Sequence, residues 1–105
     1  MKTKEAIVLD ALKTAVHKTE GMGLAYLYGS RAHGDANPDS DWDVLVVLDK
    51  DKVTPDDFDS TAFPLYDVGI EQDAAVSVNV YALPDWRKHS STPFFKNVER
   101  EGIRL

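Results

Sequence analysis

Near the start of the chain, apolar residues recur at helical spacing: Val8, Leu12, Ala15 and Val16 share one face, and Gly21 and Gly23 end the pattern. The periodicity predicts a helix from Thr3 to about Thr19. Leu24 to Tyr28 is a short β-prone run closed by Gly29-Ser30. Asp43 to Leu48 is almost unbroken in its apolar character, the mark of a strand covered on both faces. Thr54-Pro55-Asp56-Asp57 joins an N-cap hydroxyl, a proline at the first helical position and acids facing the positive end of the helix dipole, so a helix starts there. Pro64 interrupts its apolar stretch and predicts a broken or kinked helix reaching about Ile70. Ala75 to Leu83 alternates, with Val76, Val78, Val80 and Ala82 on one side and Ser77, Asn79, Tyr81 and Leu83 on the other, which predicts a third strand closed by Pro84. A helical turn over Asp85 to Lys88 follows. Thr92-Pro93 then repeats the cap-plus-proline start, and Gly102 ends a last helix running from Pro93 to about Glu101. Ile103 and Leu105 are expected to pack back. Helices interleaved with three strands predict an α/β fold, a small mixed sheet with flanking helices.

The chain has 105 residues, which predicts a single domain over 1–105 with one core. The absence of cysteine excludes disulfides, thiolate metal sites, Fe–S clusters and thiol nucleophiles, leaving carboxylates, hydroxyls, imidazoles or an oxygen-held metal for any chemistry. Eighteen Asp and Glu against twelve Lys and Arg give a net charge of -6. Nine Asp and only Lys50 and Lys52 fall between Asp35 and Asp59. Such a surface repels nucleic-acid backbones, so direct nucleic-acid binding is not expected, and a phosphate-ester ligand would need a divalent cation. The apolar stretch from Ala6 to Leu9 is too short for a signal-peptide core or a membrane span, which predicts a cytoplasmic protein with no membrane association.

Three readings compete for the stretch from Tyr28 to Val44. A Walker-type phosphate loop would use Gly29 and Gly34, but Asp35 stands where the lysine belongs and no Ser or Thr follows. An EF-hand loop beginning at Asp35, Asn37 and Asp39 has Ser40 in place of the turn glycine and Val46 in place of the bidentate glutamate. The third reading is a metal–nucleotide site. Asp41 and Asp43 lie two apart at the entry to the second strand, so their carboxylates leave one face about 6–7 Å apart at the Cα atoms and can converge on one cation. A hard cation such as Mg²⁺ suits one or two carboxylates plus substrate phosphates. Gly29-Ser30 would form the tight turn facing those phosphates, and Arg31 and His33 add positive charge nearby.

Gly29-Ser30, ten intervening residues and Asp41-x-Asp43 together resemble the signature of the DNA polymerase β-like nucleotidyltransferases, specifically the minimal (MNT) branch. GSRAHGDANPDSDWDVLVVL carries that resemblance across the motif region, and Phe95-Lys-Asn-Val-Glu-Arg-Glu-Gly-Ile103 extends it. The resemblance implies a polymerase β-like palm fold, Mg²⁺ held by Asp41 and Asp43, and ATP as substrate with its phosphates at Gly29, Ser30 and Arg31. Members of this branch are similar to the antitoxins of toxin–antitoxin pairs whose partner is an α-helical HEPN-type toxin. That similarity implies transfer of AMP from ATP to a tyrosine of the toxin.

The family usually carries a third carboxylate on the strand beside the Asp pair. Here that strand offers Ser77 and Asn79, with Asn79 at the expected position, and a neutral amide cannot accept a proton. Glu71 or Asp73 would substitute if the turn delivered them. The alternative is a catalytically degenerate domain that works by protein or nucleotide binding alone. A sugar-nucleotide glycosyltransferase sharing the Asp-x-Asp is disfavoured by length, and homo- or hetero-oligomers both stay open. More ordinary roles compete at single positions: an ion pair to Asp35 or Asp39 for Arg31, a helix-face or turn position for His33, surface positions for His17 and His89, core for Trp42, and helix packing for Trp86, Phe94 and Phe95.

Overall fold

The computed structural model describes residues 2–105. In chain order the elements are α1 (Lys4–His17), β1 (Met22–Tyr28), α2 (Ser30–His33), β2 (Trp42–Leu48), α3 (Pro55–Gln72), β3 (Val76–Ala82), α4 (Leu83–Lys88), α5 (Pro93–Glu101) and β4 (Ile103–Arg104). The four strands form one sheet in the order β3-β2-β1-β4. β1 runs antiparallel to β2 and β4, and β2 and β3 run parallel, joined by the α3 crossover. The sheet is therefore mixed, as the sequence predicts. The fourth strand was not expected. Ile103 and Arg104 make only two residues of pairing with β1, too few for an alternation signal, while Leu105 beyond them is buried as anticipated.

α1 and α3 cover one face of the sheet. Val8, Leu12, Val16, Ala62 and Leu65 meet Leu27, Val44, Val46 and Val78 there. Trp86 of α4 and Val98 of α5 cover the other face, over Tyr26, Leu45 and Val47. β2 is thus buried from both sides, which is why Val44 to Leu48 needs no polar alternation. The second helix layer reaches Leu45 and Val47 but leaves the beginning of β2 uncovered: Asp43 is half-buried, and Ser77 and Asn79 beside it on β3 are exposed. That gap in the helix layer is where the polar residues of the sheet collect.

α3 begins as the sequence dictates. Thr54 Oγ1 accepts from the Asp57 N–H at 3.1 Å, and Asp57 Oδ2 accepts from the Thr54 N–H at 3.0 Å, a complete capping box. Lys50 Nζ donates to the other Asp57 oxygen at 2.7 Å, and these contacts, Lys50 foremost, pull the Asp57 carboxyl down to about 2. A depressed carboxyl favours the folded state above the unfolded value of 3.8, and that contribution is lost as pH falls from about 4 toward 2. Thr54→Ala should lower unfolding stability at neutral pH by about 1 kcal/mol, measurable by urea denaturation. Contrary to the expected break, α3 continues through Pro64. Proline there removes the bond to the carbonyl of Ser60, and both residues lie on the exposed side of the helix, where that oxygen is open to solvent.

Candidate active site

The register fixes which side chains share the uncovered patch. Tyr28 at the end of β1 pairs with Asp43, and Asp43 pairs on its other side with Ser77 of β3. Paired residues point to the same face, so Tyr28, Asp43, Ser77 and, two residues further along, Asn79 all face the gap in the second helix layer. Asp41, two residues before Asp43 and just outside β2, is exposed at its entrance. Burial pushes the Asp43 carboxyl above the ordinary carboxylate range, and the Asp41 charge pushes it further the same way. Two carboxylates that repel each other, with no cationic partner among the described residues, suit a divalent cation. The donor set is all oxygen, which fits Mg²⁺ with positions left open for phosphate and water.

Gly29 turns the chain out of β1 at φ 76°, ψ -157°. A Cβ there would lie 2.4 Å from Asp43 Oδ2, so glycine lets the main chain lie directly against the carboxylate. Ser30 opens α2, a single turn in which the Ala32 and His33 N–H groups donate to the Gly29 carbonyl at 3.0 and 3.1 Å. The turn at Gly29 and the Asp43 carboxylate are therefore brought together.

Arg31 is engaged elsewhere. Its guanidinium donates to the Ser40 carbonyl through Nε (3.2 Å) and Nη2 (2.9 Å) and to the Pro38 carbonyl (3.3 Å), and stacks 4.5 Å from the ring centre of Trp42. Neither the expected ion pair to Asp35 or Asp39 nor a free phosphate-facing guanidinium is present. The main-chain oxygens of the loop and a buried indole outcompete solvated carboxylates for a planar cation. Trp42 is core, as expected. His33, read as a helix-face or turn residue, places its Nε2 2.7 Å from a carboxylate oxygen of Glu101 on α5.

Asn79 Nδ2 donates to the Tyr28 hydroxyl at 2.6 Å, so the Tyr28 side chain crosses over β2 to reach β3. Burial raises the Tyr28 hydroxyl above its usual range; the Asn79 bond opposes this, and the Asp43 charge adds to it. Tyr28 was missed from sequence, although its place directly before Gly29, across from Asp43 in a hairpin, was available as a signal. Asp73 caps α3, where its carbonyl accepts from Lys4 Nζ at 3.1 Å. Among the described residues no three His, Cys, Asp or Glu side chains gather into a metal-holding group, so neither Glu71 nor Asp73 completes a triad with Asp41 and Asp43.

The sequence profile of the family "Polymerase beta, Nucleotidyltransferase" matches residues 10–105, and the chain belongs to this family. Its mixed four-stranded sheet with flanking helices is the polymerase β-like nucleotidyltransferase fold. Solved structures with this fold include a toxin–antitoxin crystallised with AMP-PNP, 20% identical over 97% of this chain and 72% of that one, with a TM-score of 0.58. A variant of the toxin–antitoxin MntA-HpeT is 18% identical, covering 95% of this chain and 70% of that one at a TM-score of 0.56. A protein of Sulfolobus solfataricus classed provisionally as a nucleotidyltransferase is 15% identical, covering 99% and 87% at 0.55. Comparison with curated proteins gives no significant match.

Proposed function

We propose that the protein is a Mg²⁺-dependent nucleotidyltransferase that moves AMP from ATP to a tyrosine hydroxyl of a HEPN-type toxin, acting as its antitoxin in the cytoplasm as a single domain. The observation that carries this reading is the close seating of Gly29 against Asp43, with Asp41 two residues away: a glycine turn and a repelling carboxylate pair share one patch. Membership of the nucleotidyltransferase family and the likeness to toxin–antitoxin structures, one holding an ATP analogue, support it.

In this reading Asp41 and Asp43 would hold Mg²⁺, and Gly29 and Ser30 would bind the triphosphate. Bound Mg²⁺ supplies charge neutralisation on the phosphates during in-line displacement. The acceptor oxygen bonds to the α-phosphorus, the bond to pyrophosphate breaks, and the hydroxyl proton passes to water, because the Asn79 amide has no basic atom to take it. Arg31, held by the 38–40 main chain, positions Asp41 through the loop rather than touching phosphate.

Intact-mass spectrometry of a candidate helical toxin, incubated with this protein, ATP and Mg²⁺, tests the proposal. An adenylyl increment with the wild type, absent with Asp41→Asn/Asp43→Asn, is the expected result. A complex that forms without any increment would overturn transfer. The Tyr28–Asn79 bond favours one second reading, since it closes the position of the missing third acid: a degenerate domain neutralising its partner by contact. Toxin neutralisation that survives Asp41→Asn would establish that reading. Asn79→Asp should keep the fold, with the Tyr28 hydroxyl turning donor to the new carboxylate, and should tighten Mg²⁺ binding by about tenfold because ligand charge sets cation affinity. Weaker Mg²⁺ binding on titration would show that Asn79 does not face the cation.

A further inference from the structure

Beside Gly29, α2 and α5 border a cavity of about 230 Å³. Its surface is mainly apolar, supplied by Tyr28, Ala32 and Phe94 among others, and it opens beside the turn proposed to hold phosphate. Phe94 does not pack like its neighbour Phe95, which lies against the core and stacks on Trp86 at 4.5 Å. It remains 38% exposed while meeting Tyr28 edge-on at 5.4 Å and Trp86 edge-on at 6.3 Å. An aromatic ring held by two perpendicular neighbours and left partly uncovered in a cavity keeps part of its surface free for a ligand.

The polar groups at the cavity are few and placed. Asn97 Oδ1 accepts from Arg100 Nη2 at 2.9 Å, which leaves the amide NH₂ as the donor. The 2.7 Å contact between His33 Nε2 and Glu101 Oε2 links α2 to α5 at its edge. A mainly apolar cavity with one or two polar groups at its edge suits an aromatic heterocycle. The volume is below the roughly 300–1,000 Å³ of sites that enclose a whole drug-sized ligand, so it suits one planar ring system rather than an entire nucleotide.

The geometry points to a nucleobase subsite: the cavity takes the base of the nucleoside triphosphate whose phosphates lie over Gly29 and Ser30. Phe94 provides the ring contact, and Asn97 donates to a ring nitrogen or carbonyl of the base. This inference rests on the nucleotidyltransferase reading and adds the part of the substrate that the Asp pair does not address.

Calorimetric titration with ATP and with inorganic tripolyphosphate, each with Mg²⁺, separates base from phosphate. In the wild type ATP should bind more tightly than tripolyphosphate. Phe94→Ala, which removes the ring, and Ala32→Leu, which fills the slot, should each weaken ATP binding about tenfold, the scale of one base–aromatic contact, and leave tripolyphosphate binding unchanged. Thermal melts of both variants confirm that they are folded. ATP affinity unchanged in both folded variants, or equal losses for ATP and tripolyphosphate, would overturn the subsite while leaving the phosphate site standing. A wild-type protein that binds neither ligand would instead overturn the nucleotidyltransferase reading, and the subsite with it.

Discussion

Asp43→Asn is expected to lower nucleotidyl transfer by more than about a hundredfold and, in the absence of divalent cation, to raise the melting temperature. The first effect follows from its proposed role as metal ligand, since even residues that only orient a ligand cost about 10- to 100-fold when removed. The second follows from electrostatics. Burial first, and then the Asp41 charge, lift the folded Asp43 carboxyl above its unfolded value of 3.8. Between those two values the native state binds more protons than the unfolded one, so stability falls as pH rises through the window and stays reduced above it. Asparagine has nearly the same shape and no charge to disfavour. The stability gain should therefore be present at pH 7 and vanish below about pH 3.8, where both forms of the wild-type residue are protonated. Added Mg²⁺ should reverse the order, because it stabilises only the chain that binds it. Scanning calorimetry at two pH values, with and without Mg²⁺, checks all three statements. A variant that melts below the wild type at pH 7 without cation would contradict the repulsion argument.

Gly29→Ala carries the other large effect. The φ 76°, ψ -157° conformation belongs to a region that essentially only glycine populates, and a side chain forced into it costs on the order of 1–3 kcal/mol. The added carbon would also meet Asp43 Oδ2 at 2.4 Å, so the carboxylate must rotate away or α2 must shift. Denaturant unfolding should show the stability loss, and Mg²⁺–ATP titration should show binding fall with it. Gly34→Ala supplies the control. Gly34 also has positive φ, at 83°, but nothing lies within 4 Å of the carbon it would gain. Its variant should lose about 1 kcal/mol from backbone strain alone and keep its nucleotide affinity. Equal loss of affinity in the two variants would mean that the contact with Asp43 is irrelevant to the site.

Much of this architecture could be read from local chemistry. Thr54-Pro55 and Thr92-Pro93 announce their helices because cap hydroxyls and first-turn prolines act within a few residues, and both helices begin at the proline. The unbroken Val44 to Leu48 run marks the central strand because both helix layers lie against it. The fourth strand escaped notice because its pairing with β1 is a tertiary event of two residues. Pro64 misled because its cost depends on whether Ser60 faces water, which no local pattern reveals. At the site, the closeness of Gly29 to Asp43 was legible from their places at the end of one strand and the start of the next. The partners of Arg31 and Asn79 were not: each depends on a chain reversal or crossover that brings main-chain oxygens or a distant hydroxyl within reach.

The segment from Gly34 to Ser40 separates the Gly-Ser turn from the Asp pair, and it is stitched throughout. Asn37 Oδ1 accepts from the Asp39 N–H at 2.9 Å, Ser40 Oγ accepts from the Asn37 N–H at 3.0 Å, and Arg31 grips the Ser40 carbonyl twice. A slack connection of this length would leave the two halves of a ligand site searching for each other, and every encounter with ligand would carry the entropy of freezing the loop. Here that ordering is completed when the chain folds. The turn and the carboxylates therefore behave as one rigid jaw, and more of the contact energy remains for gripping whatever enters it.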